Sequence, residues 1–468
     1  MKAKINNEIS NKNTEEQGHT RVQWIVVVIA SLMMFLYGME NGWMSPMTKV
    51  LTSDQSPTGY PLSGTELSWV SSVLPLTAVC LVPLYAFITD AYGRKFGVLA
   101  VGIPQLICCT LRLFATNTTM LILSRASAGV AASGCFISMP IYVREICQDS
   151  IRGATVAFLM LMQNFGLLTM YLMGSYLSYH IILWITITIT VLAIGLIIFA
   201  PESPAFLAKN EKYDEAAKTL ALLRGLEVNH KIIELEINEM RNEELRYKSL
   251  PEITFINIFK NKAWRSGFLR ALLVNTSQSG NGTFAIMTYG WVILSSSKIS
   301  IDPDLQTLVV PILMIFGSMV SLVFVQKFGR KVIIVSMQIL IAVAMTCMGV
   351  VLMLQHSGFS PPGWVLLLSV AISVWAYAAG VVSIFYVIVS EMFSFQVRSK
   401  IMGILVSYSW FVSSLQLIVF VPISEMFGMH TMFFIYAGVN VFGGVGALLL
   451  MPETKDKTVE EIERILSK

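Results

Sequence analysis

Apolar runs separated by short polar turns fill the chain from residue 22 to residue 451. In hydrocarbon the backbone has no water to bond, so each run of about 20 apolar residues predicts a membrane-crossing helix. Twelve runs qualify: 22–44, 67–89, 97–115, 120–143, 155–177, 181–200, 266–294, 306–326, 332–354, 364–390, 400–422 and 430–451. Gly153–Pro201 and Val332–Ser390 contain no charge at all, and each is long enough for two spans. Turns are expected at Tyr179–His180 and at 357–363.

One long polar stretch, 201–265, interrupts the series. It carries two amphipathic patterns, Lys212–Arg224 and Asn229–Leu245, with apolar positions at helical spacing. The expected architecture is an all-α membrane protein: a cytoplasmic tail (1–21), a first six-helix bundle (22–200), a cytoplasmic helical linker (201–265), a second six-helix bundle (266–451) and a cytoplasmic tail (452–468).

Composition agrees. Charged residues are 13% of the chain, about half the ~25% of a soluble domain. The net charge of +4 is too small to suggest nucleic-acid binding, and the six Cys show no metal-ligand spacing. No cofactor or metal is expected. Residues 1–20 are polar and precede the first apolar run, unlike a signal peptide, whose apolar core lies earlier. Of 33 Lys and Arg, all but Lys49, Arg112, Arg125 and Lys298 fall on the side that holds both termini. The positive-inside rule makes that side cytoplasmic, and sorts Lys49, Arg112 and Lys298 to the outside.

The two halves repeat each other in register. DAYGRK (90–95) after the second span matches QKFGRK (326–331) after the eighth. Glu145 with Arg152 seven residues on matches Glu391 with Arg398 seven on, and PESP (201–204) matches PETK (452–455). Such parallel six-helix repeats are the architecture of alternating-access carriers. The repeated charges, Asp90, Arg94, Lys95, Glu145, Arg152 and Glu202 with Arg330, Lys331, Glu391, Arg398 and Glu453, lie at inner helix ends. They are expected to form an inner-gate network that pairs on closure and parts on opening. Gly93 and Gly329 permit the tight turns.

Within the membrane, Glu40 and Arg125 are costly and therefore functional candidates. Gln278 and Asn281 share a helix face, and Tyr289, eleven residues past Gln278, is expected on a similar one. They adjoin SGNG, where a helix can unwind to line a cavity. No nucleophile triad, metal spacing or phosphate loop supports an enzyme.

At these motifs the chain resembles the sugar porter family of the major facilitator superfamily, from Trp24 to Glu460. GWMSPM (42–47), LSWVSSVLPL (67–76) and TDAYGRK (89–95) look like the insect facilitated trehalose transporter-like subgroup. The resemblance implies alternating-access transport of a small polar solute, a hexose or trehalose-like disaccharide, by a monomer in the plasma membrane. It places candidate substrate contacts at Gln163, Ser277, Gln278, Asn281, Tyr289, Tyr386 and Trp410. The site departs from the family pattern at Met160, Thr276, Gly282, Ser383, Phe385 and Ser409. A non-sugar carrier and a transporter-like sensor with little flux therefore stay open as alternatives. The resemblance also places Glu40 where proton-coupled members carry a carboxylate, with Arg125 as its partner. A pair that separates during the cycle would make protons a second cargo; the alternative is a fixed salt bridge, or a Glu40 that reaches water at the outer mouth.

Overall fold

The structure, a computed structural model, describes residues 18–249, 255–455 and 457–467. Residues 1–17 of the expected N-terminal tail, 250–254 of the expected linker, and 456 and 468 of the C-terminal tail lie outside the described residues.

Among the described residues, eleven helices are long and apolar enough to cross a membrane: Arg21–Leu51, Gly64–Tyr92, Arg94–Leu113, Thr118–Ile146, Asp149–Tyr176, Tyr179–Phe199, Pro303–Ser321, Arg330–His356, Gly363–Met392, Val397–Phe427 and Met429–Leu450. They coincide with eleven of the twelve expected runs. The seventh run is instead two shorter helices, Lys262–Ser279 and Thr283–Ser295, which meet at Gly280–Gly282.

The break has a local cause. Gly282 takes φ +88°, a left-handed conformation that costs other residues about 1–2 kcal/mol. The Tyr436 ring also fills the place a Cβ would need. A broken helix in hydrocarbon leaves backbone groups that neighbours must satisfy. Gln416 Nε2 donates to the Ser279 carbonyl at 3.1 Å, and Asn440 Nδ2 to the Asn281 carbonyl at 3.1 Å. Asn281 Oδ1 accepts from the Thr283 N–H at 2.8 Å and starts the second piece. Buried amides on the eleventh and twelfth spans thus splint the break.

The tenth span holds one π-helical turn, Tyr377–Val381. Such turns widen the helix locally and recur at functional sites. Here it packs against the eighth span, where a Cβ on Gly317 would press on Ala378 and the Trp375 carbonyl. The first and fifth spans cross backbone to backbone: a Cβ on Gly38 would strike the Gln163 carbonyl, and one on Gly166 the Phe35 carbonyl. Close approach through small residues is how helices associate without a hydrophobic drive.

The first six spans pack mainly on one another, as do the last six. The second span against the eleventh, and the fifth against the eighth, join the two groups. Between the groups lie helices Tyr213–Arg224 and Lys231–Ser249, flanked by Pro204–Lys209 and Phe255–Lys260. Arg224 ties this segment down. Its guanidinium donates to the Ile146 carbonyl at 3.2 Å and pairs with Glu236 at 2.9 Å, while its carbonyl accepts from the His19 N–H at 2.7 Å. The last helix, Val459–Ser467, lies under the second bundle, where Glu463 accepts from Trp264 Nε1 at 2.8 Å.

Candidate functional site

Three regions hold the chemistry: the basic end with the repeated motifs, the middle, and the opposite end.

At the basic end each bundle builds the same device. Arg94 Nε donates to Glu145 at 2.9 and 3.1 Å, and Nη1 lies 3.2 Å from Asp90. Ser203 donates its hydroxyl to Glu145. Glu202 crosses the N-terminus of the third span, where one carboxylate oxygen accepts the Arg94 and Lys95 backbone N–H groups at 3.0 Å each. A helix N-terminus is a favourable seat for an anion, because its free N–H groups and dipole point outward. Lys95 Nζ caps the Ile198 carbonyl at 2.7 Å.

The second bundle repeats this arrangement. Arg330 pairs with Glu391 at 2.9 Å, and Thr454 donates to the same carboxylate. Glu453 accepts the Arg330 and Lys331 N–H groups at 2.9 and 3.2 Å. A Cβ on Gly93 or Gly329 would press on the carboxylate of Glu202 or Glu453, and Gly93 alone of the two also takes a positive φ, +113°.

Ser203 and Thr454 were missed as functional positions, although the repeated Pro-Glu-Ser/Thr pattern marks both. Two expected members of the network sit elsewhere. Arg152 pairs with Asp149 at 2.5 Å and donates to the Arg144 carbonyl at 3.3 Å. Arg398 donates to the Phe393 carbonyl at 3.3 Å. Seven residues of spacing turn a corner between spans here, so equal spacing did not mean contact with the carboxylate.

In the middle, aromatic and polar groups from both bundles meet. The Trp410 ring lies edge-on to Phe136 at 5.6 Å and to Tyr37 at 6.3 Å. Ser409 donates to Asn275 Oδ1 at 2.7 Å, and Thr276 bonds the Tyr408 hydroxyl at 3.0 Å. Tyr377 reaches Gln278, and Tyr386 reaches Ser409. Gln163 on the fifth span is half-buried.

Three expected substrate contacts have partners inside the protein. Ser277 turns away from this region: its hydroxyl accepts from Gln338 Nε2 at 2.7 Å, and its side chain abuts Gly443. Tyr289 stacks on Phe420 at 4.5 Å and donates to the Leu417 carbonyl at 3.4 Å. Asn281 Oδ1 serves the helix break, while its buried Nδ2 has no hydrogen-bond partner among the described residues. The count of helical turns from Gln278 to Tyr289 assumed a continuous helix, and the break at Gly280–Gly282 resets the faces.

Near the opposite end lies a buried ionic cluster. Glu40 is 1% exposed. Arg125, its expected partner, donates to the Glu40 carbonyl at 3.0 Å and to the Val70 carbonyl at 3.2 Å, and stands 3.7 Å from the carboxylate. The main partner is Arg112, whose two terminal nitrogens clamp the carboxylate at 3.0 and 2.6 Å. Arg112 also donates Nε to Ser124 at 3.3 Å and stacks on Trp43 at 3.9 Å. Its position in the last turn of the third span had sorted it to the outer surface, yet it is 1% exposed. The available signal was its place inside the expected third run, 97–115.

Between the bundles, polar contacts lie from the middle to this opposite end. Tyr171 donates to the Met287 carbonyl at 2.7 Å, the Trp291 N–H to Ser45 at 3.1 Å, and Asn164 to Ser318 at 2.9 Å. Lys49 pairs with Asp304 at 3.0 Å.

Comparison with known proteins agrees with this geometry. The family described as sugar (and other) transporter matches residues 26–466. A facilitated trehalose transporter homolog of Drosophila sechellia is 23% identical over 449 residues, 94% of this chain and 90% of that one. The facilitated trehalose transporter of Bombyx mori is 24% identical over 460 residues, 97% and 89% of the two chains. Among solved structures, the inward-open xylose transporter XylE from E. coli superposes with a TM-score of 0.79 at 19% identity, over 95% of this chain and 99% of that one.

Proposed function

The chain belongs to the sugar (and other) transporter family, and from that premise we propose that it carries a sugar across a membrane by alternating access. The supporting observation is the paired device at the basic end. Each Arg–Glu–hydroxyl cluster knits helix ends within its own bundle, so each bundle can tilt as a unit. The middle supplies what a sugar needs, an aromatic floor at Trp410 and hydrogen-bonding groups at Gln163, Gln278 and Tyr386. Buried sugar hydroxyls need partners, because an unpaired one costs about 1–3 kcal/mol.

The basic end faces the cytoplasm in this reading, and the protein works as a monomer in the plasma membrane. The domain limits are 22–200 and 266–451, joined by 201–265. The contacts between bundles at the opposite end then close the outer mouth. Exchange of radiolabelled glucose, xylose and trehalose in proteoliposomes tests the proposal. Saturable counterflow of one of them supports it, and binding without exchange would mark a sensor. A carrier of another solute would exchange none of the three.

A further inference from the structure

At the end opposite the basic one, the second bundle holds a pair of histidines that the solute site does not use. His356 closes the last turn of the ninth span, and His430 stands in the first turn of the twelfth. Their imidazole rings lie 5.6 Å apart, centroid to centroid, tilted by 39°. Gly428, at φ +87°, precedes the twelfth span, and a Cβ there would stand 2.7 Å from the His430 ring. The glycine therefore leaves room for that ring against the turn. Phe434 meets the same ring edge-on at 6.3 Å. Among the described residues, no hydrogen bond or ion pair occupies either imidazole.

The two rings line a cavity of about 340 Å³ together with Ser295, Ser296, Lys298, Gln355 and Met429. Two imidazoles that share one tetrahedral ion, with metal–nitrogen bonds of about 2.0–2.1 Å, have centroids about 5 Å apart. The observed spacing is close to that. Ser295 and Ser296 donate their hydroxyls to the Val292 and Ile293 carbonyls at 2.8 and 2.6 Å. What they have left is oxygen lone pairs, which suit a cation. The C-terminal end of the ninth span carries partial negative charge and favours a cation too. Gln355 adds an amide oxygen and Met429 a thioether sulfur. A set led by imidazole suits zinc, copper or nickel, whereas magnesium and calcium ask for carboxylates. Lys298 opposes a cation, but it is exposed and its ammonium can stay in water. Among the described residues, no three His, Cys, Asp or Glu side chains converge to hold a metal. An ion here is therefore held by two imidazoles and completes its shell with neutral donors or water.

We propose that His356 and His430 form a binding site for a late first-row divalent metal ion, of the zinc, copper or nickel class. The site joins the ninth span to the twelfth and faces the end of the broken seventh. It shares no residue with the solute contacts at Trp410, Gln278 and Tyr386, and it does not depend on which solute is carried.

The test uses the full chain, purified without a polyhistidine tag, stripped with a chelator and held in lipid nanodiscs. Calorimetric titration with zinc chloride is expected to show binding that saturates at one ion per chain. His356→Ala and His430→Ala should each weaken it at least about tenfold, the least that even a group supporting a metal ligand is worth. Spin resonance of bound copper(II) should show two imidazole nitrogens in the wild type and one in either variant. Lys298→Gln should tighten zinc by up to about fivefold, because it removes an exposed like charge. Absence of zinc binding, or zinc binding untouched by both histidine variants, overturns the proposal. If zinc gives no heat and sulfate gives heat that Lys298→Gln removes, the cavity is an anion site and the proposal falls. If His430→Ala does not fold, His356→Ala, whose ring is exposed, decides.

Discussion

The two ends of this molecule hold their charges differently. At the basic end, the carboxylates of the repeated motifs come in twins: Arg94–Glu145–Ser203 is matched by Arg330–Glu391–Thr454, and Glu202 on one helix N-terminus by Glu453 on another. At the opposite end, among the described residues, stand a single buried cluster in the first bundle, Glu40–Arg112–Arg125, and a single ion pair between bundles, Lys49–Asp304. The twins preserve what both bundles need, a rigid base. The single features are where the two halves differ in their charges.

The comparison predicts a ranking of effects. Glu40→Ala should be the most damaging change, because it leaves two buried guanidiniums without a carboxylate. A loss of about 3–5 kcal/mol is expected, read from thermal unfolding in detergent. A drop of only a few tenths would mean that water reaches the cluster.

Arg94→Ala and Arg330→Ala should each cost about 2–3 kcal/mol by the same measurement, because each strands a half-buried carboxylate. Their equality is the sharper expectation, and in the double variant the two losses should add, since the clusters lie in different bundles. A harmful Arg94→Ala beside a harmless Arg330→Ala would break the twin relation.

Ser203→Ala and Thr454→Val should each cost about 1.5 kcal/mol, the low end for one hydrogen bond to a charged group. Either change leaves the Arg–Glu pair in place, so protein yield should hold while unfolding midpoints fall together.

The smallest effect belongs to the exposed bridge. Lys49→Asp should shift the equilibrium between open and closed opposite ends by at most about 1 kcal/mol, near fivefold, because exposed ion pairs are weak. Spin-label distances across that end would read the shift. The exchange Lys49→Asp with Asp304→Lys should restore it, and high salt should erase the difference.

Much of this protein is local and therefore legible in its sequence. Hydropathy is a property of a stretch, so eleven spans fell where apolar runs predicted them. The repeat is a property of residue order, so DAYGRK and QKFGRK, Glu145 and Glu391, and the two Pro-Glu motifs announced the paired base before any coordinates. Tertiary structure decided the partners. Glu40 was assigned to Arg125, but the packing of the third span turned Arg112 inward and gave it the stronger clamp. Tyr289 was placed in the binding region by counting turns along a helix that Gly282 and Tyr436 interrupt, and Ser277, placed there by resemblance, bonds Gln338 instead. Span identity follows from the free energy of burying one segment in lipid, which each segment carries alone. Side-chain pairing follows from the rotation and contact of several helices at once, and no single helix carries that information.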